Sequence, residues 1–478
     1  MLGGIPTAMI MCSCSPIGPG AVEKSRPFET MKMWLESAIT GPEGMLWHVS
    51  ARLGRRSVPV LIFLLAFLIR LLAAGMWSDT EIHVDASEYL VLAQNIRFHG
   101  TLSFGGQHPW GADGQLNSPG PFLPTAARAP LYPFVIAGLW WRQTPPFREI
   151  WVLQALLGGL TALLVYFAAL SVFGRSSAAL AGLAMALAPQ SAFWSATVMS
   201  DTLFTSLLTL GLWLWGRRMG LHAGIALGAA TLTRAVLLPI VIATVLLAAI
   251  SKFNRTLHLR IALGVLLVIF PWAVRNAVTQ HAFVPVAVQG WGSSLLLSTI
   301  DVPYGSGRWS FYLSDSKVRD IIAGAPSETD AERQMMRAAM ERISAHPLRW
   351  FWLRTRQYPR LFADSASYMY KVLPLPPSLI KTVFLCGNFL FLVLSVTGLY
   401  MARARWRNVY HLVLFPGFLA FAQFPLADSR YSVPMVPVMA IFAAFALLRL
   451  RTQKGTSPDP FLAPEEHALE DMSHVEIP

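Results

Sequence analysis

Charge is the scarce ingredient of this chain. Only 13% of its 478 residues are Asp, Glu, Lys or Arg, against a hydrophobic share of 54%, whereas a soluble domain carries about a quarter charged residues. Mean hydropathy is +0.49. An ordinary soluble domain is excluded, and several apolar runs approach the ~20 residues that hydrocarbon requires. The chain reads as an all-α polytopic membrane protein. Cysteine is almost missing as well. Cys12 and Cys14 stand too close for an ordinary structural disulfide and Cys386 lies inside an apolar run, so neither a disulfide framework nor a cysteine metal site follows. Zinc-finger spacing and nucleic-acid motifs are lacking too. The net charge of +12 is therefore assigned to membrane topology, because the basic residues fall mostly between apolar runs, and nucleic acid is not expected as a partner. Residues 1–56 show no signal-peptide core with a cleavage site. They are expected to form a cytoplasmic tail, with Met31 and Met33 as further candidate starts.

What is present is a series of apolar runs, near 57–76, 150–173, 177–198, 202–216, 221–235, 236–250, 257–275, 378–401, 408–426 and 431–450. Reading them as about ten transmembrane helices puts every basic cluster on one side. Arg52, Arg55 and Arg56 precede the first run, and Arg175, Arg217, Lys252, Arg403 and Arg449 belong to the clusters that follow. By the positive-inside rule that side, with both termini, is cytoplasmic. The pair 221–250 is short for two crossings. The segment 130–141 would invert everything after it if it crossed, so it is expected to be re-entrant or interfacial. The membrane domain then runs over 57–450, with outer loops at about 77–129 and 276–377, and a polar tail from 451 to 478. The outer loops read as amphipathic helices lying along the membrane. In 86–99, Tyr89, Leu92, Ala93 and Ile96 share one face, and in 330–345 Met335, Met336, Ala339, Met340 and Ile343 do so until His346-Pro347. The stretch "PLRWFWLRTRQYPRLF" is basic and aromatic, as an interfacial helix should be.

This threading gathers ionisable residues from distant segments at the outer face: Asp85, Glu88, Arg128, Asp201, Arg234, Arg275 and Arg430. Such groups at membrane depth suggest function, and arginines at one level would grip a phosphate in bidentate fashion. Each has a plainer reading. Asp85 fits an N-cap with Glu88 completing a capping box, Asp201 or Ser200 fits an N-cap, and Arg275 and Arg430 fit interfacial anchors. Arg234 is surrounded by apolar residues in "GAATLTRAVLLP", and Arg70 lies inside the first run with no evident partner. Asp79 and Glu81 complete the acidic patch as bystanders. His83 with scattered carboxylates does not make a metal site. No cofactor follows with certainty from the sequence, and a divalent metal stays open without residues to support it.

The ordered motifs "HVDASEYLVLAQNIRFHGTLSF", "RAPLYPF", "APQSAFWSATVMSDTLF", "GAATLTRAVLLP", "FPWAVRNAVTQHAFVPV" and "DSRYSVPMVPVM" resemble those of the C-type glycosyltransferases. The bacterial relatives of dolichyl-phosphate-mannose protein mannosyltransferases and of lipid A aminoarabinose transferases are the members they are most similar to. The resemblance runs over about 57–450, although "RAPLYP" has one proline before the aromatic where the familiar form has two. It implies a polyprenyl-phosphate sugar donor, a site on the extracytoplasmic face of the cell membrane, and an acceptor hydroxyl on protein, lipid or glycan. Asp85 then matches the acidic catalytic residue of the first outer loop, Arg128 the basic residue before a Pro-rich turn, and Asp201 a position where many relatives have Glu. On that basis Asp85 is expected to be the general base of an inverting sugar transfer. Arg128, Arg234, Arg275 and Arg430 are expected to hold the donor phosphate, with Glu88, Tyr132 and Asp201 in supporting or acceptor-site positions. A flippase of a lipid-linked sugar and a surface polysaccharide polymerase or ligase are the rival readings.

Overall fold

The computed structural model describes residues 57–76, 84–106, 120–250, 254–288, 290–301, 314–363 and 376–454. Asp79, Glu81, His83, Cys12, Cys14 and both predicted tails lie outside the described residues, apart from the helical 451–454. The chain divides into a unit Met1–Val58, of which only Ser57 and Val58 are described, and a unit Pro59–Pro478 that holds everything below.

Among the described residues every regular element is helical. Five stretches are long and apolar enough to cross a membrane: Ser57–Met76, Phe147–Phe173, Arg255–Gln280, Ser378–Ala422 and Ser429–Arg451. Arg175–Leu187, Gly220–Thr233 and Ala235–Thr244 are apolar but shorter. At 1.5 Å per residue the 14 residues of Gly220–Thr233 reach about 21 Å, short of the ~30 Å hydrocarbon layer. The predicted run 408–426 is a helix over Trp406–Ala422, inside the Ser378–Ala422 stretch. The run 177–198 is not one helix. It ends at Leu187 and restarts as Pro189–Ser195, because the residue before a proline is pushed out of the helical region and Ala188 stands at ψ 107°.

That break explains Arg70. The carbonyl of Met185 faces position 189, where proline has no N–H to offer. Arg70 supplies donors instead: Nη2 to Met185 O at 3.2 Å, Nη1 to Ala186 O at 3.2 Å and to Ala66 O in its own helix at 3.0 Å. Its side chain lies across Gly158, where a Cβ would occupy the same space.

The helix Val84–His99 corrects the amphipathic expectation. Ala86 and every residue from Glu88 to Asn95 are buried, and exposure is confined to the last turn, Arg97 to His99. One side packs on Tyr132, Ile136 and Ala137 of Leu131–Leu139, and the other on Leu102, Phe104 and Ala127. Leu131–Leu139 itself has 9 residues, about 14 Å of helix, so it does not cross. Glu328–Ala345 starts at Ser327, whose hydroxyl caps the Asp330 amide. Its buried stripe is Ala331, Met335, Ala338 and Ala339, and Met340, expected on that stripe, is exposed. Pro347–Gln357 presents Leu348, Phe351 and Trp352 outward, and turns Trp350 inward to donate to Ser298 Oγ at 2.9 Å.

Candidate active site

The charged residues meet where helices end. Asp201 begins the helix Asp201–Gly216, and Arg234 is the C-cap of Gly220–Thr233. A turn at 217–219 joins the two helices, so the start of one and the end of the other lie together. Arg430 sits in the 3₁₀ turn Ser429–Met435, whose Asp428 side chain accepts from the Arg430 amide at 3.0 Å. Arg128 lies on a non-helical segment tied down at several points. The Thr125 amide donates to Leu102 O at 2.9 Å, the Val288 amide to Ala126 O at 2.8 Å, and Arg275 Nη1 to Thr125 O at 2.7 Å. Glu328 accepts from the Thr125 hydroxyl at 2.5 Å and from the Ala126 amide at 3.2 Å.

Side chains from these ends form one continuous chain of ion pairs. Arg128 donates through Nε to Glu88 at 2.5 Å and through Nη2 to Asp85 Oδ1 at 2.8 Å. Arg430 donates through Nη1 to Asp85 Oδ2 at 2.5 Å and through Nε to Asp201 Oδ2 at 2.8 Å. Asp201 Oδ1 takes Arg234 Nη1. Three carboxylates therefore balance three guanidiniums. They differ in access: the Asp85 side chain is 28% exposed, Glu88 1% and Asp201 0%. Burial works to raise the Asp85 carboxyl, but Arg128 and then Arg430 outweigh it and hold it well below the usual carboxylate range. Burial wins at Glu88, whose carboxyl is raised against the pull of Arg128. For Arg128 burial pulls the other way and is overcome by Glu88 and Asp85, so its charge is reinforced.

Aromatic rings complete the guanidinium seats. Tyr89 lies 5.8 Å from Arg128, Trp194 5.4 Å from Arg430, and Phe204 and Tyr431 lie 5.7 and 5.4 Å from Arg234. Each ring lies on a motif that carries one of the charges, yet the sequence alone does not mark any of them as a guanidinium partner. Nothing local in the sequence ties Glu328 to Thr125 either.

Six of the expected site residues come together here: Asp85, Glu88, Arg128, Asp201, Arg234 and Arg430. The capping readings fail. Asp85 lies within the helix and Glu88 pairs with Arg128, while Ser200, the N-cap before Asp201, makes no side-chain cap. Two residues fall elsewhere. Arg275 sits over Trp272 at 4.8 Å and bonds Thr125 O and Asn276, so it braces the Arg128 segment from behind rather than joining the ion-pair chain. Tyr132 is buried, donates to Gln154 Oε1 at 3.2 Å and packs edge-on against Tyr89 at 5.0 Å. It supports the site through Tyr89. Among the described residues, no three His, Cys, Asp or Glu side chains cluster as metal ligands.

A family description fits this arrangement. Over residues 127–275 the chain matches the dolichyl-phosphate-mannose-protein mannosyltransferase family. The matched stretch carries three of the six clustered residues, Arg128, Asp201 and Arg234, together with the supporting Tyr132 and Arg275; Asp85, Glu88 and Arg430 lie outside it. No curated protein matches the chain in sequence. Among solved structures, the oligosaccharyltransferase of Archaeoglobus fulgidus with zinc and sulfate aligns at 15% identity and TM-score 0.49, covering 83% of this chain and 49% of its own. The same archaeal enzyme with an inhibitory peptide and dolichol-phosphate aligns at 13% identity and TM-score 0.48, over 84% of this chain and 52% of that one. ArnT from Cupriavidus metallidurans bound to undecaprenyl phosphate aligns at 15% identity and TM-score 0.37, over 80% and 77%. This chain thus spans about half the length of the archaeal enzyme.

Proposed function

We propose that the protein is a membrane glycosyltransferase that moves one sugar from a polyprenyl-phosphate carrier to an acceptor hydroxyl, with inversion, on the extracytoplasmic face of the cell membrane. The family match over 127–275 supports the reaction class. The observation that carries the residue roles is the access of Asp85: it is the one carboxylate of the ion-pair chain open enough to meet a substrate, at 28% exposed.

Asp85 accepts the proton of the acceptor hydroxyl as that oxygen bonds to the sugar C1. The bond from C1 to the phosphate oxygen breaks on the opposite face, and its electron pair leaves with the phosphate. Held low by Arg128 and Arg430, Asp85 is a weak base in the free protein. The Nη groups of Arg128 and Arg430 lie beside Asp85, within reach of the charge developing on the phosphate. Arg234 acts one step further back, through Asp201. The polyprenyl tail lies among the apolar helices, and the acceptor is a protein, lipid or glycan hydroxyl.

A flippase would need the same arginines but no base. The arrangement favours transfer, because Arg128, Arg234 and Arg430 are gathered in one ion-pair chain rather than spread along a path through the membrane. The deciding experiment is Asp85→Asn in purified protein. Donor-lipid binding is expected to persist while transfer falls by about 10²–10⁴-fold, the usual contribution of a general base. Undiminished turnover would remove Asp85 from that role.

A further inference from the structure

Arg128 and Arg430 are built alike. Each guanidinium is tied through Nε to a carboxylate shut away from solvent, Glu88 at 1% exposed and Asp201 at 0%. Each reaches the exposed carboxylate of Asp85 with an Nη, one to Oδ1 and the other to Oδ2. An aromatic ring lies near each, Tyr89 by Arg128 and Trp194 by Arg430. The Asp201 anchor is itself held from its other oxygen by Arg234. A guanidinium offers its five N–H groups in a fixed fork, so the Nε edge can stay bound while the Nη edge changes partner. Both Nη contacts are to Asp85, the one part-exposed carboxylate of the ion-pair chain.

We propose that the donor phosphate arms the base: the Nη groups of Arg128 and Arg430 that hold Asp85 in the free protein pass to the phosphate oxygens, while Glu88 and Asp201 keep both guanidiniums in place through Nε. This rests on the transferase reading and adds an order to it. In the free protein Asp85 is neutralised by two arginines and is a poor base. With phosphate bound it loses both partners and gains a negative neighbour, and each change raises its affinity for a proton. The acceptor hydroxyl is thereby activated only when a donor is present to receive it. Glu88 and Asp201 are positioning residues, acting through the arginines rather than on substrate.

The test is proton linkage. Asp85 faces Arg128, Arg430 and, further off, Arg234, together with Tyr431 and its helix neighbour Glu88, so these are the groups whose charges set its titration. Binding of a sugar-free polyprenyl monophosphate to the full chain in detergent is followed by calorimetry at about pH 5, in two buffers of different ionisation enthalpy. The phosphate itself titrates near pKa ~6, so Asp85→Asn supplies the background. Wild type is expected to take up more protons on binding than Asp85→Asn. Glu88→Gln, with a weakened anchor, is expected to show a smaller excess, and its kcat profile should have an acid limb shifted to lower pH because Arg128 falls back on Asp85. Equal proton counts in wild type and Asp85→Asn, both binding the lipid, would overturn the switch and leave the transferase reading standing. No binding of the lipid by either protein would overturn both. An unmoved acid limb in a folded, active Glu88→Gln protein would remove Glu88 from its positioning role.

Discussion

The deepest joint of the site is Asp201, and replacing it with asparagine measures how much the ion-pair chain holds. Its two oxygens divide between Arg234 and Arg430. Asparagine keeps one acceptor and turns an amide donor toward the other arginine, so a guanidinium that is 17% or 12% exposed faces another donor. Removing one partner of a buried pair costs about 3–5 kcal/mol, and the partial exposure of both arginines places this case at the lower end. Unfolding entropy of about 2.1 cal/mol/K per residue, over the roughly 350 described residues, gives about 0.7 kcal/mol/K. A loss of about 3 kcal/mol then lowers the midpoint by about 4 °C. The 16 tryptophans provide a fluorescence readout in detergent. Arg234→Met alone leaves Asp201 with Arg430. The double variant should lose less than the sum of the two, with a coupling of about 0.5–3 kcal/mol. A drop of less than about 1 °C for Asp201→Asn, with strictly additive effects, would mean that these charges are independently solvated and that the chain of pairs has no energetic unity.

Three further outcomes follow from the same geometry. Arg70→Met strands the carbonyl of Ala186 and leaves that of Met185 with only the Ala188 amide at 3.4 Å, at about 1–3 kcal/mol for the stranded acceptor, and should lower the same thermal midpoint. Gly264→Ala places a methyl 2.9 Å from the Gly224 Cα across the crossing of Gly220–Thr233 with Arg255–Gln280, so it should destabilise by about 1–3 kcal/mol. Gly387→Ala, with nothing within 4 Å, should be silent in that measurement. Asp315 is held below its usual range by hydrogen bonds from Arg342, bidentate at 2.8 and 2.9 Å. Its contribution is therefore full above the unfolded value of about 3.9 and lost as pH falls through the lower folded value. Amide protection in Ser316–Gly324, corrected for intrinsic exchange, should fall in acid for the wild type and be already reduced at neutral pH in Asp315→Asn.

The sequence made the ionisable residues visible and left their partnerships hidden, and the reason is physical. An arginine or aspartate at the edge of an apolar run is conspicuous because burial is costly unless the charge is paired, and Asp85, Asp201, Arg234 and Arg430 were found on that ground. The threading could place them at one face because helix direction alternates along the chain, and the Asp201–Gly216 and Gly220–Thr233 pair obeys it. Which arginine meets which acid depends on helix rotation and on loops, and neither leaves a local trace. Arg275 and Arg128 look equally suited to phosphate in the sequence, yet a bond to the Thr125 carbonyl turns Arg275 into a brace. Burial misled in the other direction at Val84–His99. Its polar residues suggested a helix lying on a surface, but the segments 102–104 and 131–139 cover both sides, and Glu88, Gln94 and Asn95 are buried with the rest. A helix buried all round ordinarily dispenses with a glutamate. Glu88 is held there against its own desolvation by Arg128, and on the proposed mechanism that bond is what keeps Arg128 in place when its Nη edge passes from Asp85 to a phosphate.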